Sequence, residues 1–392
     1  MKALRNYLDK IKPHFEEGGK LHAFHSVFDG LETFMFVPNN TSTSGAHIHD
    51  AADSKRLMSF VVIALIPALL FGMYNVGYQH FIHAVGETGT FGEMFGYGFL
   101  AVLPKIIVSY VVGLGIEFII AQWKKEEIQE GFLVSGILIP MIVPVDCPLW
   151  MLAVATAFSV IFVKEVFGGT GMNIFNVALV TRAFLFFAYP TKMSGDAVWV
   201  SSDSIFGLGK TVDGLTVATP LGMASTAAAD QVPAFDMNMV TGLIPGSIAE
   251  TSVIAILIGA AILLITGIAS WKVMMSVFVG GAFMGLVFNQ FGPDTAMAHM
   301  PWYQHLALGG FCFGAVFMAT DPVTSARTET GKYIFGFLIG VMAIVIRVLN
   351  PGYPEGMMLA ILLMNIFAPL IDYYVVQANI SRREKRAINS NN

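Results

Sequence analysis

Acidic side chains inside apolar segments are the residues of this chain best placed to do chemistry. Glu117 lies in one long apolar segment and Asp372 lies late in another. A charged group is costly in a hydrocarbon layer, so each is a functional candidate by default. Hard cations prefer carboxylate and carbonyl oxygens as ligands, which favours a cation-binding role for the two acids. Snorkelling to the interface, or pairing with a Lys or Arg of another subunit, explains them equally well.

A threonine in a long polar segment could accept a covalent group. Residues 213–219 read Asp-Gly-Leu-Thr-Val-Ala-Thr. This resembles D-x-x-[S/T]-x-A-[S/T], the pattern on which a flavin transferase attaches FMN to the last hydroxyl through a phosphoester. The reaction needs an exposed backbone, an upstream acid such as Asp213 and a free hydroxyl, which Thr219 supplies. Usual versions have Ser-Gly-Ala-Thr at the end, and a Thr-, Ala- and Pro-rich outside loop without special chemistry is the plain alternative.

Ten apolar segments must position these residues. A helix needs about 20 mainly apolar residues to cross a hydrocarbon layer of roughly 30 Å. Several of the ten are shorter than that, and the fifth is the least secure. The ten predicted spans are Leu57–Gly77, Phe99–Gln122, Gly131–Val145, Leu149–Val163, Ile174–Tyr189, Ser252–Ile268, Val273–Phe288, Tyr303–Ala319, Tyr333–Leu349 and Met357–Val376.

The positions of Lys and Arg predict how these spans are oriented. Basic residues occur in both tails and after the second, fourth, sixth and eighth spans, whereas the gaps at 146–148, 289–302 and 350–356 contain none. By the positive-inside rule both termini are cytoplasmic, and Thr219 is on the outer, periplasmic side of a bacterial inner membrane. Lys105 and Arg347, in the outer parts of two spans, are exceptions to this pattern.

Composition restricts the class of protein. A hydrophobic share of 55% and a charged share of 12% exclude an ordinary soluble domain. The net charge of −5, without a basic block, argues against nucleic acid as a partner. No cleavable signal peptide is visible before the first apolar run. Cys147 and Cys312 alone cannot hold a four-thiolate iron–sulfur cluster, and we assign no metal site.

We therefore predict an all-α integral membrane protein of about ten transmembrane helices. Two sets of five spans have opposite orientations because five is odd, which suggests two inverted five-helix repeats in a bundle like that of urea channels. The predicted regions are a cytoplasmic arm with an amphipathic helix, a first membrane half, an extracytoplasmic loop, a second membrane half and a basic cytoplasmic tail, at 1–56, 57–189, 190–251, 252–376 and 377–392.

Longer stretches of sequence carry a family resemblance that covers essentially the whole chain. Lys164–Asn176, running on to Arg182–Pro190, resembles the B subunit of the sodium-translocating NADH:quinone reductases. Four further stretches agree with it: Phe15–Lys20, Ile244–Ile248, Phe317–Val323 and Asn350–Ile361. The resemblance implies an electron-carrying subunit of a redox-driven sodium pump, NADH:ubiquinone reductase, rather than a dehydrogenase in its own right.

The resemblance also implies cofactors and partners. Covalent FMN and non-covalent riboflavin would be bound by this chain, and ubiquinone would be the substrate. An NADH-oxidising subunit, a second FMN-carrying subunit, iron–sulfur membrane subunits, an FMN transferase and the lipid bilayer would be its partners. The sequence agrees with NADH oxidation by another subunit. Gly168-Gly169-Thr170-Gly171 has no soluble βαβ unit around it, so it is not a convincing dinucleotide-binding fingerprint.

Roles for individual residues follow from the resemblance. Asn173 and Asn176, three apart on one predicted helical face, would line the riboflavin pocket with Ser135. The plain alternative is hydrogen bonding between helices by buried amides. Arg182 would be a counter-charge to a flavin, or simply the partner of a carboxylate. The remaining residues fall into two groups, the quinone pocket at Gly113, Leu114, Phe132 and Leu133, and the sodium pathway at Asp29, Glu117 and Asp372.

Two other functions remain open at this point. The D subunit of the related Rnf complex, a ferredoxin-linked redox pump, shares the architecture and the flavinylated threonine. A channel for a small polar solute is also possible, because an inverted five-plus-five bundle serves that function and fold alone does not determine function. The identity of neighbouring subunits would separate the two pumps, and a yellow purified protein would argue against a channel.

Overall fold

A computed structural model describes residues 2–16, 18–21, 24–25, 27–28, 32, 35–36, 44–45, 54–124 and 131–390 of the chain. The described residues form helices joined by loops, with one isolated β-bridge between Ile205 and Leu208 and no longer strand. The α-helices α1 to α15 are Lys2–Ile11, Ser54–His80, Phe91–Lys124, Phe132–Met141, Leu149–Ser159, Val177–Ala188, Pro220–Thr226, Asn238–Thr241, Val253–Ile265, Trp271–Phe291, Ala296–His299, Trp302–Ala307, Phe311–Phe313, Glu329–Leu349 and Met357–Ser390.

Helices occupy all ten predicted spans, but only some of them are long enough to cross a membrane. Five helical stretches of the described chain are both long and apolar enough: Lys55–Val85, Phe91–Lys124, Trp271–Phe291, Glu329–Leu349 and Met357–Asn389. The others are shorter, such as α4 with 10 residues. At 1.5 Å per residue a helix of that length covers about half of a 30 Å layer. The predicted third span, Gly131–Val145, is therefore a short helix followed by irregular chain.

The eighth predicted span is broken rather than continuous. Within Tyr303–Ala319, α12 ends at Ala307 and a π-helical turn at Gly314–Met318 follows α13. Gly309 and Gly310 have φ of 63° and 67°, a conformation that glycine adopts without steric cost. The carbonyl groups freed by the break are satisfied by Arg347, whose guanidinium donates to His305 O at 2.6 Å and to Leu308 O at 3.1 Å.

Burial accounts for the two basic residues that break the charge pattern. The side chain of Arg347 is 0% exposed and that of Lys105 is 6% exposed. Lys105 directs its Nζ at the Ala101 carbonyl of its own helix, at 3.4 Å. Both side chains are enclosed by protein, so their positions are not evidence for which loops face the cytoplasm.

The helices of the two predicted membrane halves pack in corresponding pairs. In the first half, α4 contacts α2, α3 and α6, while α5 contacts α3 and α6. In the second half, the α12–α13 segment with its π-helical turn contacts α9, α10 and α15, while α14 contacts α10 and α15. The halves meet where α2 packs on α9 and α6 packs on α15. The extensive contact of α2 with α3 has no equally extensive counterpart between α9 and α10 among the described residues.

Glycines allow the closest of these helix contacts. A Cβ atom added at Gly340 of α14 would lie 2.1 Å from the Val277 carbonyl oxygen of α10, and one added at Gly98 of α3 would lie 1.7 Å from the Met73 carbonyl oxygen of α2. Small residues let helix backbones approach in this way inside membranes. The two halves therefore each contain one crossing where backbone meets backbone.

Side chains of α2 and α3 hold the long segment between the halves in place. His80 uses both ring nitrogens, Nδ1 towards Ser201 O at 2.7 Å and Nε2 towards the Lys210 N–H at 3.1 Å. Since the second bond makes Nε2 an acceptor, Nδ1 carries the proton. The Tyr97 hydroxyl donates to Asp203 O at 2.5 Å. The segment that carries residues 213–219 is thus anchored to the ends of two membrane helices.

Candidate functional site

Two cavities of similar size contain five of the residues singled out from the sequence. The first, of about 320 Å³, is lined by Thr219 and Arg182 and is called the threonine cavity. The second, of about 340 Å³, is lined by Ser135, Asn173 and Asn176 and is called the asparagine cavity. They share no lining residue. Both use α6, the asparagine cavity at its first turn and the threonine cavity towards its end, so the two cavities lie at opposite ends of the bundle.

Thr219 is half-buried in the wall of the threonine cavity and begins a short helix. Its Oγ1 accepts a hydrogen bond from the Gly222 N–H at 2.9 Å, which caps α7. Pro220 follows at the first helical position, where its missing N–H costs nothing. The bond uses a lone pair of Oγ1 and leaves the hydroxyl proton available. Asp213 lies in the exposed part of the same loop.

Arg182 contacts carboxylates in this cavity, which was the second of the two predicted possibilities. Its guanidinium bonds to both oxygens of Glu250, at 2.8 and 2.9 Å, and to Glu355. Its side chain is 6% exposed, and those of Glu250 and Glu355 are 8% and 18% exposed. The ion pairs join α6, the chain before α9 and the loop before α15. The positive charge of Arg182 is therefore balanced within the wall of the cavity.

Tyr353 completes this network from the loop 350–356, outside the helices. Its hydroxyl donates to Glu355 Oε2 at 3.5 Å. Burial raises the pKa of Tyr353 well above its ordinary value, and the nearby negative charge of Glu355 adds to the rise. Tyr353 is consequently a neutral donor across the pH range in which proteins work. Glu250 and Glu355 were missed from sequence, although Glu355 lies inside one of the stretches that carry the family resemblance.

The three residues predicted for a riboflavin pocket come together in the asparagine cavity. Ser135 reaches it from α4, whereas Asn173 and Asn176 reach it from the loop before α6. The prediction that the two amides share a helical face is wrong, because the helix begins only at Val177. Asn176 Oδ1 accepts from the N–H groups of Ala178 and Leu179, so Asn176 is the capping residue that starts α6.

The asparagine cavity has further polar groups that sequence reasoning did not assign to it. Asp321 Oδ2 accepts from Asn176 Nδ2 at 3.0 Å, and Asp321 Oδ1 accepts from the Val323 N–H at 3.0 Å. The Thr170 hydroxyl is buried in the wall and has no hydrogen-bond partner among the described residues. Polar atoms left in this way inside a protein are costly unless a ligand or water satisfies them. A ligand edged with amide and imide groups would satisfy the Thr170 hydroxyl.

Two of the residues predicted for a quinone pocket, Gly113 and Phe132, are in contact and leave no open space between them. The Phe132 ring fills the volume beside Gly113, since a Cβ atom at Gly113 would lie 1.9 Å from the ring. Leu114 and Leu133 are half-buried neighbours on the same two helices. The Tyr110 hydroxyl donates to Leu133 O at 2.6 Å and fixes α4 against α3. A quinone head would have to displace the Phe132 ring to enter here.

The acids predicted for a sodium pathway lie apart. Glu117 is buried on α3 and pairs with Lys164, outside both cavities. Asp372 on α15 accepts from the Arg327 N–H at 2.7 Å and from the Thr328 N–H at 2.9 Å, and so holds the start of α14. Asp29 lies outside the described residues. The structure thus gives Glu117 and Asp372 protein partners and does not bring them together.

Comparisons with known proteins agree on one family. The profile of the NQR2, RnfD, RnfE family matches residues 41–381. A Chromohalobacter salexigens protein, named as the B subunit of a Na(+)-translocating NADH-quinone reductase, is 45% identical over 98% of this chain and 96% of its own length. Proteins of the same name from Pseudomonas paraeruginosa and Neisseria meningitidis are each 43% identical, over 98% of this chain and 99% of theirs. A match of this extent leaves no part of either membrane half unaccounted for, and the chain belongs to the NQR2, RnfD, RnfE family.

Proposed function

We propose that this chain is the B subunit of a sodium-translocating NADH:quinone reductase and passes electrons through two bound flavins. The observation that carries the proposal is that Ser135, Asn173 and Asn176, from two separate parts of the sequence, line one cavity, while Thr219 lines the other. The relatives named above support the same function, because each is named as the B subunit of such an enzyme.

Covalent FMN would be attached at Thr219. Three features support this residue: its place in the motif that begins at Asp213, its half-buried position at the rim of a cavity, and a hydroxyl whose proton no described residue accepts. The cavity offers space beside the hydroxyl, and the Arg182–Glu250–Glu355 network gives its wall fixed charges. FMN would supply one-electron chemistry there, while the chain positions it and shields it from water.

Riboflavin would be held without a covalent bond in the asparagine cavity. The Thr170 hydroxyl, Ser135 and the amide of Asn173 present donors and acceptors of the kind that the edge of an isoalloxazine ring requires. Leu138, Val177 and Phe317 provide apolar walls on which such a ring can pack. Residues of this chain thus bind and orient the ring, and the ring supplies the redox chemistry.

A ten-helix bundle of two inverted repeats would place these two sites on opposite sides of the membrane. The corresponding helix pairs in the two halves, and the α2–α9 and α6–α15 contacts between them, are what a twofold axis in the membrane plane requires. The absence of basic residues from 146–148, 289–302 and 350–356 supports a periplasmic position for the threonine cavity. We retain the predicted regions, with both tails in the cytoplasm of a bacterium.

Electrons would leave for ubiquinone near Gly113, Leu114, Phe132 and Leu133, and sodium would enter near Asp29, Glu117 and Asp372. The Phe132 ring would have to move for the quinone head, and Glu117 would have to share its carboxylate between Lys164 and the cation. NADH oxidation and the iron–sulfur steps would belong to partner subunits, and an FMN transferase would modify Thr219. Because the family also includes RnfD, neighbouring subunits that transfer electrons from ferredoxin would favour the Rnf-type pump.

Flavin attachment at Thr219 is tested by coexpressing the chain with an FMN transferase and recording in-gel fluorescence of the denatured protein. We expect a fluorescent band for the wild type and for Thr219→Ser, and none for Thr219→Ala. Thr226→Ala is the matched control, because Thr226 lines the same cavity at the other end of α7 and lies outside the motif. Fluorescence that survives Thr219→Ala, or a wild-type chain without fluorescence, contradicts the proposal.

A further inference from the structure

Lys164 connects the asparagine cavity with a carboxylate outside it. Within the described part of the chain, Lys164 is the basic residue and Asp321 the acidic residue of the cavity lining. The ammonium group of Lys164 bonds to Glu117 on α3, and the side chains of the pair are 5% and 4% exposed. Glu117 does not line the cavity. The positive member of this ion pair is therefore nearer to the cavity than the negative member.

The local backbone explains why a lysine at the end of a membrane helix is buried. Residues Val160–Glu165 form a π-helical turn after α5, a form found mostly as single turns and frequently at functional sites. The turn directs Lys164 inwards, whereas a lysine at a helix end would ordinarily reach the interface. The ammonium group also lies 5.9 Å from the centre of the Phe132 ring.

Breaking this pair would leave an unpaired buried charge, and the pair already leaves one group unsatisfied. Glu117 Oε2 is buried and has no hydrogen-bond partner among the described residues. A pair held only for stability would be expected to satisfy both oxygens, since incomplete buried ion pairs do not repay the cost of removing charges from water. A neighbouring lysine and glutamate pair also joins α3 to the π-helical turn: Lys124 Nζ lies 3.5 Å from Glu165 Oε2. Both side chains are more exposed than those of Lys164 and Glu117, so this pair costs less desolvation.

We propose that Lys164 is a positioning residue that sets the electric potential inside the asparagine cavity, so that a ring bound there accepts an electron more readily. The inference rests on the proposed function, in which that ring is riboflavin. Bound riboflavin would supply one-electron chemistry, each electron arriving from the covalent FMN and leaving for the quinone, while Lys164 would place a positive charge on the cavity wall. The positive charge of Lys164 stabilises the reduced, more negative form of the ring relative to its oxidised form. Glu117 holds the ammonium group on the cavity wall.

The test is a redox titration of the non-covalent flavin in the assembled, purified complex. The variant Lys164→Met with Glu117→Gln removes both charges together and leaves no unpaired buried ion, so the fold is expected to survive. We expect the equilibrium constant for one-electron reduction to fall at least tenfold, which shifts the potential by about 59 mV in the negative direction. Lys164→Arg retains the charge and should keep a potential close to that of the wild type.

The matched control is Lys124→Met with Glu165→Gln. It removes the neighbouring pair between the same two elements, and neither residue lines the cavity. We expect bound riboflavin with an unchanged potential in this control. An unchanged potential in the Lys164–Glu117 double variant, or an equal shift in the control, overturns the inference while the proposed function stands. A wild-type complex without non-covalent riboflavin overturns the proposed function, and the inference with it.

Discussion

The threonine cavity and the asparagine cavity have similar volumes but differ in where the counter-charge of their basic residue lies. In the threonine cavity, Arg182 is balanced by Glu250 and Glu355 within the same wall. In the asparagine cavity, Lys164 is balanced by a carboxylate behind the wall, and the Thr170 hydroxyl has no partner among the described residues. The first wall is thus complete without a ligand. The second has polar groups that a ligand would satisfy.

This difference matches the way in which each site would hold its flavin. A covalently attached group needs one reactive hydroxyl and a stable wall, because the bond itself prevents loss of the group. A group held without a covalent bond depends on hydrogen bonds and packing from several residues, and its affinity is lost when they are removed. The threonine cavity should therefore respond to substitutions through stability, and the asparagine cavity through ligand content.

The largest effect is expected from removing the central charge of the threonine cavity. Arg182→Met leaves Glu250 and Glu355 buried without their partner, and breaking a buried pair in this way typically costs about 3–5 kcal/mol. We expect a large fall in the Tm of the detergent-purified chain.

The matched variant combines Arg182→Met with Glu250→Gln and Glu355→Gln. Neither carboxylate that faced Arg182 is charged in it, so most of the lost stability should return. A triple variant as unstable as Arg182→Met alone would show that the stability depends on the packing of the Arg182 side chain and not on its charge. The comparison between the two cavities would then fail.

A smaller effect is expected beside the asparagine cavity, at Gly113. Gly113→Ala places a Cβ atom 1.9 Å from the Phe132 ring, and forcing extra volume into a packed interior costs about 1–3 kcal/mol. The Tm should fall, and combining Gly113→Ala with Phe132→Leu should restore part of it.

Gly115→Ala is the control for this substitution. Nothing lies within 4 Å of a Cβ atom at Gly115 on the same helix, and alanine is favoured over glycine in a helix by roughly 0.5–1 kcal/mol. We expect an unchanged or raised Tm. If Gly113→Ala is equally harmless, the space beside Phe132 is open, and a quinone head could enter without moving the ring.

The smallest effect on stability, and the sharpest separation of roles, is expected for the two asparagines. Asn176→Ala removes the cap of α6, worth about 1 kcal/mol, together with the donor to Asp321, and should lower the Tm. Asn173 donates to Phe175 O within its own loop, so Asn173→Ala should change the Tm little.

The measurement that separates the asparagines is the riboflavin content of the purified complex. We expect Asn173→Ala to reduce it at least tenfold at an almost unchanged Tm, because two or more hydrogen bonds to the ring would be lost. Asn176→Ser keeps an oxygen for the cap and should restore the part of the Tm that the cap supplies, but not the flavin. Full flavin content in Asn173→Ala would contradict a binding role for this residue.

Much of the fold could be predicted because hydrophobicity alone locates helices in a membrane. All ten predicted spans contain helices, and the three residues predicted to bind riboflavin line one cavity. The errors are at helix ends and breaks: Asn176 begins α6 instead of lying within it, and Gly309–Gly310 interrupt the eighth span. Caps and breaks depend on single residues whose effect depends on what surrounds them, so periodicity does not reveal them.

The sequence by itself determined that the chain lies in a membrane, where its helices occur and which family it belongs to, because these follow from apolar length and from residue identity along the chain. Only the tertiary structure decided the partners of the buried charges. Arg182 meets carboxylates from positions 250 and 355, and Lys164 meets one from position 117. Such pairs are chosen by packing between distant segments, since a buried charge must find its counter-charge wherever the folded helices bring one within reach.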